Sequence, residues 1–415
     1  MRYPHVFSLC LILATAGSPS FAETTKEALS LPDATRRVLE RHPEIQVATA
    51  LEEAAAGRTQ QAGVISNPEI GYLVEDFSGD TGRSIGAGTT TMSLSQRLSL
   101  PGKRGSRINV AEAEQKEAAQ SRQARKLALI RLTRESYSEV LAASERQRMA
   151  EDSLQLARQL REAVSARVEA GKVSPIELSR AGVAMAAAER EARLAAQKHQ
   201  VAMRSLASLW NGSERAIELV TPLDMPSTLP AAPAVFNQNP LLQQLQTRID
   251  RQRAALSLAR ANTLPDFTVS VGLKEEAVIQ EQSLQLGISI PLPVFDRNQG
   301  ERRAANAELS AAEAMLAAER ATLGREVDRL ASEREGAYYE ALQLRDGVLK
   351  TATQALEGTR EGYRAGKFSL IDLLDAQRAL VEARRAYLVA RLTFQKTDAA
   401  LDELAGTDTF SEVNP

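Results

Sequence analysis

The sequence predicts a mainly α-helical fold in which long antiparallel coiled-coil helices carry a small β part of four strands. Residues 106–170 contain neither Gly nor Pro, and no Pro occurs from 294 to 414. Windows of this length predict helices far longer than the globular average of about 11–12 residues. Four short segments alternate apolar and small polar residues, which is the strand pattern. A duplication with a period of about 195 residues distributes these elements over two halves.

The N-terminal segment 1–22 is predicted to be a secretory signal peptide with cleavage after Ala22. It holds a basic residue, a short apolar run and small residues before the cleavage site. The apolar run is too short to span a bilayer as a helix of the mature chain. Cys10, the only cysteine, lies inside this run and away from the cleavage site, so we predict no lipid acylation. The mature chain is therefore expected in an oxidising compartment without disulfides.

The duplication is defined by three pairs of landmarks: Gly171 with Gly366, Pro68 with Pro265, and Pro43 with Pro240. The first pair is separated by 195 residues and the other two by 197. A solenoid repeat is far shorter, so each half is predicted to carry its own set of large elements. The predicted divisions are a first repeat at 23–220, a Pro-rich linker at 221–235, a second repeat at 236–405 and a short polar tail at 406–415.

The longest Gly- and Pro-free window predicts a helix that is too long for an ordinary globular domain. A continuous helix over 106–170 would be roughly 100 Å long. Such a helix is expected to pack along its length against others, as in a coiled coil or an α-barrel. Alanines in the windows 184–192 and 311–318 are consistent with close approach of neighbouring helices.

The strand segments form one predicted hairpin in each half, at about 68–100 and 265–293. The alternating segments are 70–74, 92–98, 267–273 and 284–292. Either a soluble sheet on a core or a transmembrane barrel explains this alternation. The signal peptide and the lack of an apolar helix of spanning length favour the barrel. Four strands cannot close, so a barrel requires two copies for eight strands or three copies for twelve.

Two similar turns are predicted at the far ends of the helix pairs. Each has a Gly suited to a left-handed helix end, a Ser N-cap and an acidic residue at capping-box spacing. The residues are Gly171, Lys172, Ser174 and Glu177 in the first half, and Gly366, Lys367, Ser369 and Asp372 in the second. Asp375 lies one turn further on, where no cap needs it. Around a central pore, symmetry copies of Asp372 and Asp375 would form carboxylate rings that favour cations.

Other site chemistries find little support in the sequence. The 51 Lys and Arg residues balance 53 Asp and Glu residues, which gives no electrostatic case for nucleic acid. His42 and His199 are predicted to be surface or packing residues. We see no catalytic constellation, cofactor loop or dedicated metal site, and therefore predict a protein that is not an enzyme.

Over residues 31–405 the chain resembles the TolC-type outer membrane factors. The resemblance is strongest at 363–377, which runs Tyr-Arg-Ala-Gly-Lys-Phe-Ser-Leu-Ile-Asp-Leu-Leu-Asp-Ala-Gln. Segments 100–105 (Leu-Pro-Gly-Lys-Arg-Gly) and 290–300 (Ile-Pro-Leu-Pro-Val-Phe-Asp-Arg-Asn-Gln-Gly) resemble the branch that serves cobalt–zinc–cadmium efflux.

The resemblance implies a homotrimer in the outer membrane with a large periplasmic part. Three chains would share a twelve-stranded barrel in lipid and a twelve-helix tunnel, which docks on a periplasmic adaptor bound to an inner-membrane pump. It also implies a periplasmic gate at Tyr363, Asp372, Asp375 and the acidic Glu177. The implied adaptor-contact tips are Gly171, Lys172, Ser174, Gly366, Lys367 and Ser369. Phe368 departs from the family pattern, because one well-known member has a basic residue at this position. The ion pairs that tether the tip in the family are therefore not expected here in the same form.

The predicted function is a passive exit duct, with heavy-metal cations as the cargo that the branch resemblance implies. Drugs or secreted polypeptides are alternative cargoes for the same fold. A soluble periplasmic coiled-coil adaptor or scaffold is the alternative from another class. The two strand hairpins argue against the adaptor, which would instead show lipoyl-like and small β-barrel segments around one helical hairpin.

Overall fold

The computed structural model describes residues 27–75, 88–212, 217–231, 238–276 and 279–407. The predicted signal peptide, residues 232–235 of the predicted linker and nearly all of the predicted tail lie outside these ranges. The tip of the first predicted hairpin, at 76–87, also lies outside them.

Long helices make up most of the described chain, and the predicted mainly helical fold is confirmed. The helices are α1 Leu31–Arg41, α2 Pro43–Ala62, α3 Lys103–Glu169, α4 Pro175–Ser208, α5 Pro240–Ala261, α6 Gln299–Gln343, α7 Leu349–Arg364 and α8 Leu370–Ala405. A π-helical segment, Leu344–Val348, joins α6 to α7. None of the helices in the described ranges is long and apolar enough to cross a membrane.

Helix α3 is continuous over 67 residues, as its Gly- and Pro-free sequence predicts. It begins three residues before the predicted window, after Gly102, whose φ of 98° suits glycine. Gly105 lies inside the first turn and does not break the helix. The corresponding stretch of the second half is divided by the π-helical segment, which the sequence analysis did not predict.

The four predicted strand segments form one antiparallel sheet. The strands are β2 Glu69–Glu75, β3 Thr89–Leu98, β5 Phe267–Glu276 and β6 Glu281–Ser289, in the order β2-β3-β5-β6. The predicted hairpins are both present, and β3 pairs with β5 to join them. The segment predicted as a strand to residue 292 leaves the sheet after Ser289, next to Pro291, which cannot donate a ladder hydrogen bond.

Register gives this sheet two chemically different faces. Tyr72 lies opposite Met92, Met92 opposite Leu273, and Leu273 opposite Leu284. The neighbouring row on the other face holds Ser93 between two glycines. Large apolar side chains on the first face are exposed, with Tyr72 at 71% and Leu286 at 80%. No helix of the described chain covers that face.

Two three-residue strands, which no sequence pattern predicts, join residues 27–29 to the segment just before the linker. β1 Glu27–Leu29 pairs in parallel with β4 Ile217–Leu219. Buried Tyr137 of α3 donates its hydroxyl to the carbonyl of Leu29 at 2.9 Å and accepts from the backbone N–H of Thr221 at 3.0 Å. The start of the linker, at Thr221, is therefore bound to α3.

Further linker bonds come from the second half of the chain. Tyr338 donates to the carbonyl of Ser227 at 3.0 Å, and Arg334 donates to that of Pro230 at 2.7 Å. Gln395 of α8 donates to the carbonyl of Asp224 at 2.7 Å. The linker thus crosses α3, α6 and α8 and fixes their relative positions.

Replacing Tyr137 with Phe is expected to lower the free energy of unfolding by about 1–2 kcal/mol, because the half-buried N–H of Thr221 loses its acceptor and the carbonyl of Leu29 keeps only the N–H of Val220. Denaturant unfolding monitored by circular dichroism measures the change. Tyr339→Phe is the control, because the Tyr339 side chain is 56% exposed. Equal losses in the two variants would contradict a role for the Tyr137 hydroxyl.

Candidate functional site at the helix tips

Two tight turns lie at the ends of the helix pairs α3/α4 and α7/α8. Gly171 and Gly366 have φ of 67° and 73°, the left-handed conformation that their position at a helix end predicts. The N–H of Lys172 bonds to the carbonyl of Arg167 at 2.8 Å, and the N–H of Lys367 bonds to that of Gly362 at 2.8 Å. Both turns therefore close in the same way and leave their lysines exposed.

The two Ser N-caps form, but their acidic partners behave differently. Ser369 and Asp372 make a full capping box, in which the Asp372 carboxylate accepts from the backbone N–H of Ser369 at 2.8 Å. In the first half, Ser174 accepts from the N–H of Ile176 at 3.4 Å, and Glu177 completes no box. Oε2 of Glu177 is buried without a hydrogen-bond partner among the described residues. The shared spacing thus produces a capping box in one half only.

Asp372 and Asp375 are both exposed near the second turn. Hydrogen bonds from the Ser369 hydroxyl and backbone N–H hold the pKa of Asp372 below its ordinary value, so this carboxylate stays ionised at neutral pH. Asp375 forms an ion pair at 3.1 Å with Arg378, three residues further along α8. Asp372 is therefore both a cap and a charge, while Asp375 has a partner that competes with any ion.

Tyr363 is buried, with 7% exposure, in an apolar cluster where the two helix pairs meet. The cluster consists of Leu160, Val164, Ala181, Tyr363, Leu370 and Leu373. These residues come from α3, α4, α7 and α8, so the tips of the two helix pairs are packed as one unit. The Tyr363 hydroxyl is buried without a hydrogen-bond partner in the described chain.

Arg167 of α3 is a tip residue that no sequence motif indicates. Its guanidinium lies 5.0 Å from the centroid of the Tyr363 ring, and its Nη1 lies 3.4 Å from the Tyr363 carbonyl. Its position one turn before Gly171 was the only signal, and that spacing alone does not distinguish it from other arginines of α3. The structure therefore brings Tyr363 and Arg167 together across the helix pairs.

Metal-ligating side chains are not grouped at the tips. In the part of the chain that the structure describes, no group of three or more His, Cys, Asp or Glu residues is arranged to hold a metal ion. The chemistry present at the tips is negative charge at Asp372 and Asp375, positive charge at the turn lysines, and the apolar contact around Tyr363.

Comparison with known proteins gives matches over most of the chain. The profile of a family described as outer membrane efflux protein matches residues 34–212 and 233–407. The chain is 35% identical over 363 residues to the cobalt-zinc-cadmium resistance protein CzcC of Cupriavidus metallidurans, covering 85% of this chain and 84% of that protein. It is 26% identical over 329 residues to the nickel-cobalt-cadmium resistance protein NccC of Alcaligenes xylosoxydans xylosoxydans, covering 76% and 72%. The crystal structure of the outer membrane protein VceC of Vibrio cholerae is similar in fold, with a TM-score of 0.76 at 20% identity over 91% of this chain and 96% of that one.

Proposed function

The chain belongs to the outer membrane efflux protein family, and we propose that it is the outer-membrane duct of a heavy-metal cation efflux system. The family consists of passive outer membrane channels, and the protein lies in the outer membrane with a large periplasmic part. Members of the family form trimeric channels that work with adaptor and pump partners. The assembly, the cargo and the gate of this chain are the proposed parts.

The sheet with two chemically different faces is the observation that most directly supports a membrane channel. Its apolar face suits lipid. Its other face holds Ser, Gly, Thr and Gln together with the charged Arg97 and Lys274, and suits a water-filled lumen. β2 and β6 are the sheet edges, and their free backbone groups cannot face hydrocarbon unpaired. We infer that β6 of each protomer pairs with β2 of the next, so that three copies close a barrel of twelve strands.

The helices support the same assembly. α2 packs on α3, α3 on α5, and α5 on α6. This order is the same as the lateral order of β2, β3, β5 and β6, the strands that adjoin these helices in the chain. The helical layer is therefore placed to continue the barrel as a tube, with α2 and α6 at its edges. Exposed apolar residues on α2, Val47 at 59% and Leu51 at 59%, would be covered by the neighbouring protomer.

The cargo proposal is supported by the similarity to CzcC, a cobalt-zinc-cadmium resistance protein, and to NccC, a nickel-cobalt-cadmium resistance protein. The proposed periplasmic gate consists of Asp372, Asp375, Tyr363 and Glu177. Three symmetry copies of the ionised Asp372 carboxylate would attract cations to the tunnel entrance. The turns with Gly171, Lys172, Ser174, Gly366, Lys367 and Ser369 are the proposed adaptor contacts.

Deleting the gene is expected to reduce tolerance to cobalt, zinc and cadmium while leaving tolerance to organic drugs unchanged. Growth inhibition by each compound, measured side by side, checks this.

Complementation with Leu286→Arg is expected to fail, because an arginine on the lipid face of a barrel costs about 2–4 kcal/mol near the midplane. Complementation with Gln285→Arg, on the opposite face of the same strand, is the matched control and is expected to succeed.

Different failures would contradict different parts of the proposal. If the deletion strain loses tolerance to organic drugs but keeps its tolerance to metals, the cargo is organic and not metal cations. Recovery only in the soluble periplasmic fraction, with no heat-modifiable trimer band on gels, would replace the channel with an adaptor or scaffold. Success of Leu286→Arg together with failure of Gln285→Arg would reverse the assignment of the two sheet faces.

A further inference from the structure

A buried ion pair closes the junction between the two halves of the chain. Lys103, the first residue of α3, donates to the Asp266 carboxylate at 2.7 Å, just before β5 begins. The two side chains are 9% and 16% exposed, and Arg97 of β3 pairs with the same carboxylate at 3.2 Å. The ion pair lies where β3 pairs with β5 and where these strands adjoin α3 and α5. It therefore shows how the end of one half meets the start of the other.

The duplication relates this inner junction to the two free edges of the sheet. β2 and β3 of the first half correspond to β5 and β6 of the second, so the pairing of β3 with β5 corresponds to a pairing of β6 with β2 of the next protomer. Glu69 and Asp266 each follow a proline of the pair that defines the duplication, and they are likewise separated by 197 residues. Leu100 and Phe295 are separated by 195 residues, as the two turn glycines are. Glu69 is therefore the counterpart of Asp266, and Phe295 is the counterpart of Leu100.

At the two edges of the sheet these counterparts are exposed. Leu100 is half-buried, whereas Phe295 is 90% exposed. Glu69 is exposed at the start of the edge strand β2, and Val64 and Ile65, shortly before it, are 48% and 60% exposed. Positions that are covered at the inner junction thus face outward at both edges of a single chain.

Hydrogen bonds hold the connection from β6 to α6 that displays Phe295. The side-chain amide of Gln299 donates to the carbonyl of Phe295 at 3.2 Å. Asn298, 195 residues after Lys103, donates its side-chain amide to a carbonyl of α5 at 2.8 Å. Arg297, one residue earlier, is exposed and forms no ion pair with the described residues. Arg297 is therefore the cation that this edge can offer to a neighbouring chain.

We propose that the junction between neighbouring protomers repeats the junction between the two halves. The guanidinium of Arg297 pairs with the carboxylate of Glu69 of the next protomer, in the place of the ion pair that closes the inner junction. The side chain of Phe295 packs on the apolar segment 64–65 of that protomer, which removes both from water. This inference rests on the proposed function, because it requires β6 to pair with β2 of the next chain.

Charge reversal in the full-length protein tests the ion pair. Glu69→Arg and Arg297→Glu each place like charges at three interfaces, and each is expected to lower the temperature at which the trimer band dissociates by roughly 3–10 °C. The double variant Glu69→Arg/Arg297→Glu restores opposite charges and is expected to recover most of this loss. Glu75→Arg/Arg297→Glu is the matched control and is expected not to recover it, because Glu75 lies at the other end of β2.

Cysteine cross-linking tests where Phe295 lies. The predicted mature chain has no cysteine, so Ile65→Cys/Phe295→Cys introduces the only two. Within one chain the edge strands β2 and β6 are three strand spacings apart, about 14 Å, and a disulfide needs Cα atoms within about 7 Å. A disulfide must therefore join two protomers. Oxidised and boiled samples are expected to run as a covalent trimer, and each single variant as a monomer.

The possible failures have different meanings. In a protein that still forms trimers, absence of recovery by the double charge reversal would overturn the ion pair. Absence of the covalent trimer would overturn the position of Phe295, and so would a Phe295→Cys thiol that reacts with a maleimide as fast in the trimer as in the unfolded chain. A wild-type protein without a heat-modifiable trimer band would instead refute the proposed function.

Discussion

Replacing Asp375 with Asn is expected to move the reversal potential of the channel in a salt gradient toward that of a pore without selectivity. In a trimer this single change removes three carboxylates from the tunnel entrance. Asp372→Asn is expected to act in the same direction. The Asn amide oxygen can still accept from the N–H of Ser369, so the start of α8 is retained while the charge is lost. Reversal potentials in planar bilayers measure both variants.

Two controls separate selectivity from capping and from general charge loss. Asp372→Ala removes the cap together with the charge and is expected to weaken the start of α8 as well. Asp346→Asn removes an exposed carboxylate of the π-helical segment, away from the tip, and is expected to leave selectivity unchanged. If both tip variants keep the wild-type reversal potential, Asp372 is a helix cap and Asp375 a surface partner of Arg378.

Replacing Arg334 with Ala is expected to lower the free energy of unfolding by about 1–3 kcal/mol, because the carbonyl of Pro230 loses its donor and Asp398 loses one of its two arginine partners. Arg334 is 4% exposed and donates to Asp398 at 3.0 Å and to the carbonyl of Pro230 at 2.7 Å. Asp398 also forms an ion pair with Arg134 at 3.1 Å, and Arg134 forms a second ion pair with Asp402 at 2.5 Å. One substitution therefore disturbs a network that joins α3, α6, α8 and the linker. Denaturant unfolding in detergent measures the loss.

Arg329→Ala provides the matched control on the same helix. Arg329 pairs with Glu326 and Glu333 at 2.7 Å each, but its side chain is 56% exposed, and exposed pairs contribute little. Its unfolding midpoint is expected to stay at the wild-type value. Arg334→Met combined with Asp398→Leu is expected to cost less than the two single changes together, because no unpaired charge remains between them. Equal midpoints for Arg329→Ala and Arg334→Ala would show that the network does not stabilise the fold.

The sequence by itself determined the elements whose signals are local. Helix α3 follows from a window without Gly or Pro, and the four long strands follow from a period of two in their side chains. The left-handed Gly171 and Gly366 and the N-caps Ser174 and Ser369 follow from residue types at fixed spacing. Each of these depends on neighbours within a few positions, so a pattern in the chain is enough to specify it.

The tertiary structure decided what depends on residues distant in sequence. β1 and β4 are three residues long and pair across a separation of 190 residues, so neither has a periodicity to detect. Ser174 and Glu177 have capping-box spacing, yet only the packing around the first turn shows that Glu177 turns away from the cap. Arg167 and Tyr363 meet only because four helices converge at the tip. Local sequence fixes backbone geometry, whereas the side-chain contacts that tie the two halves together arise from the packing of whole helices.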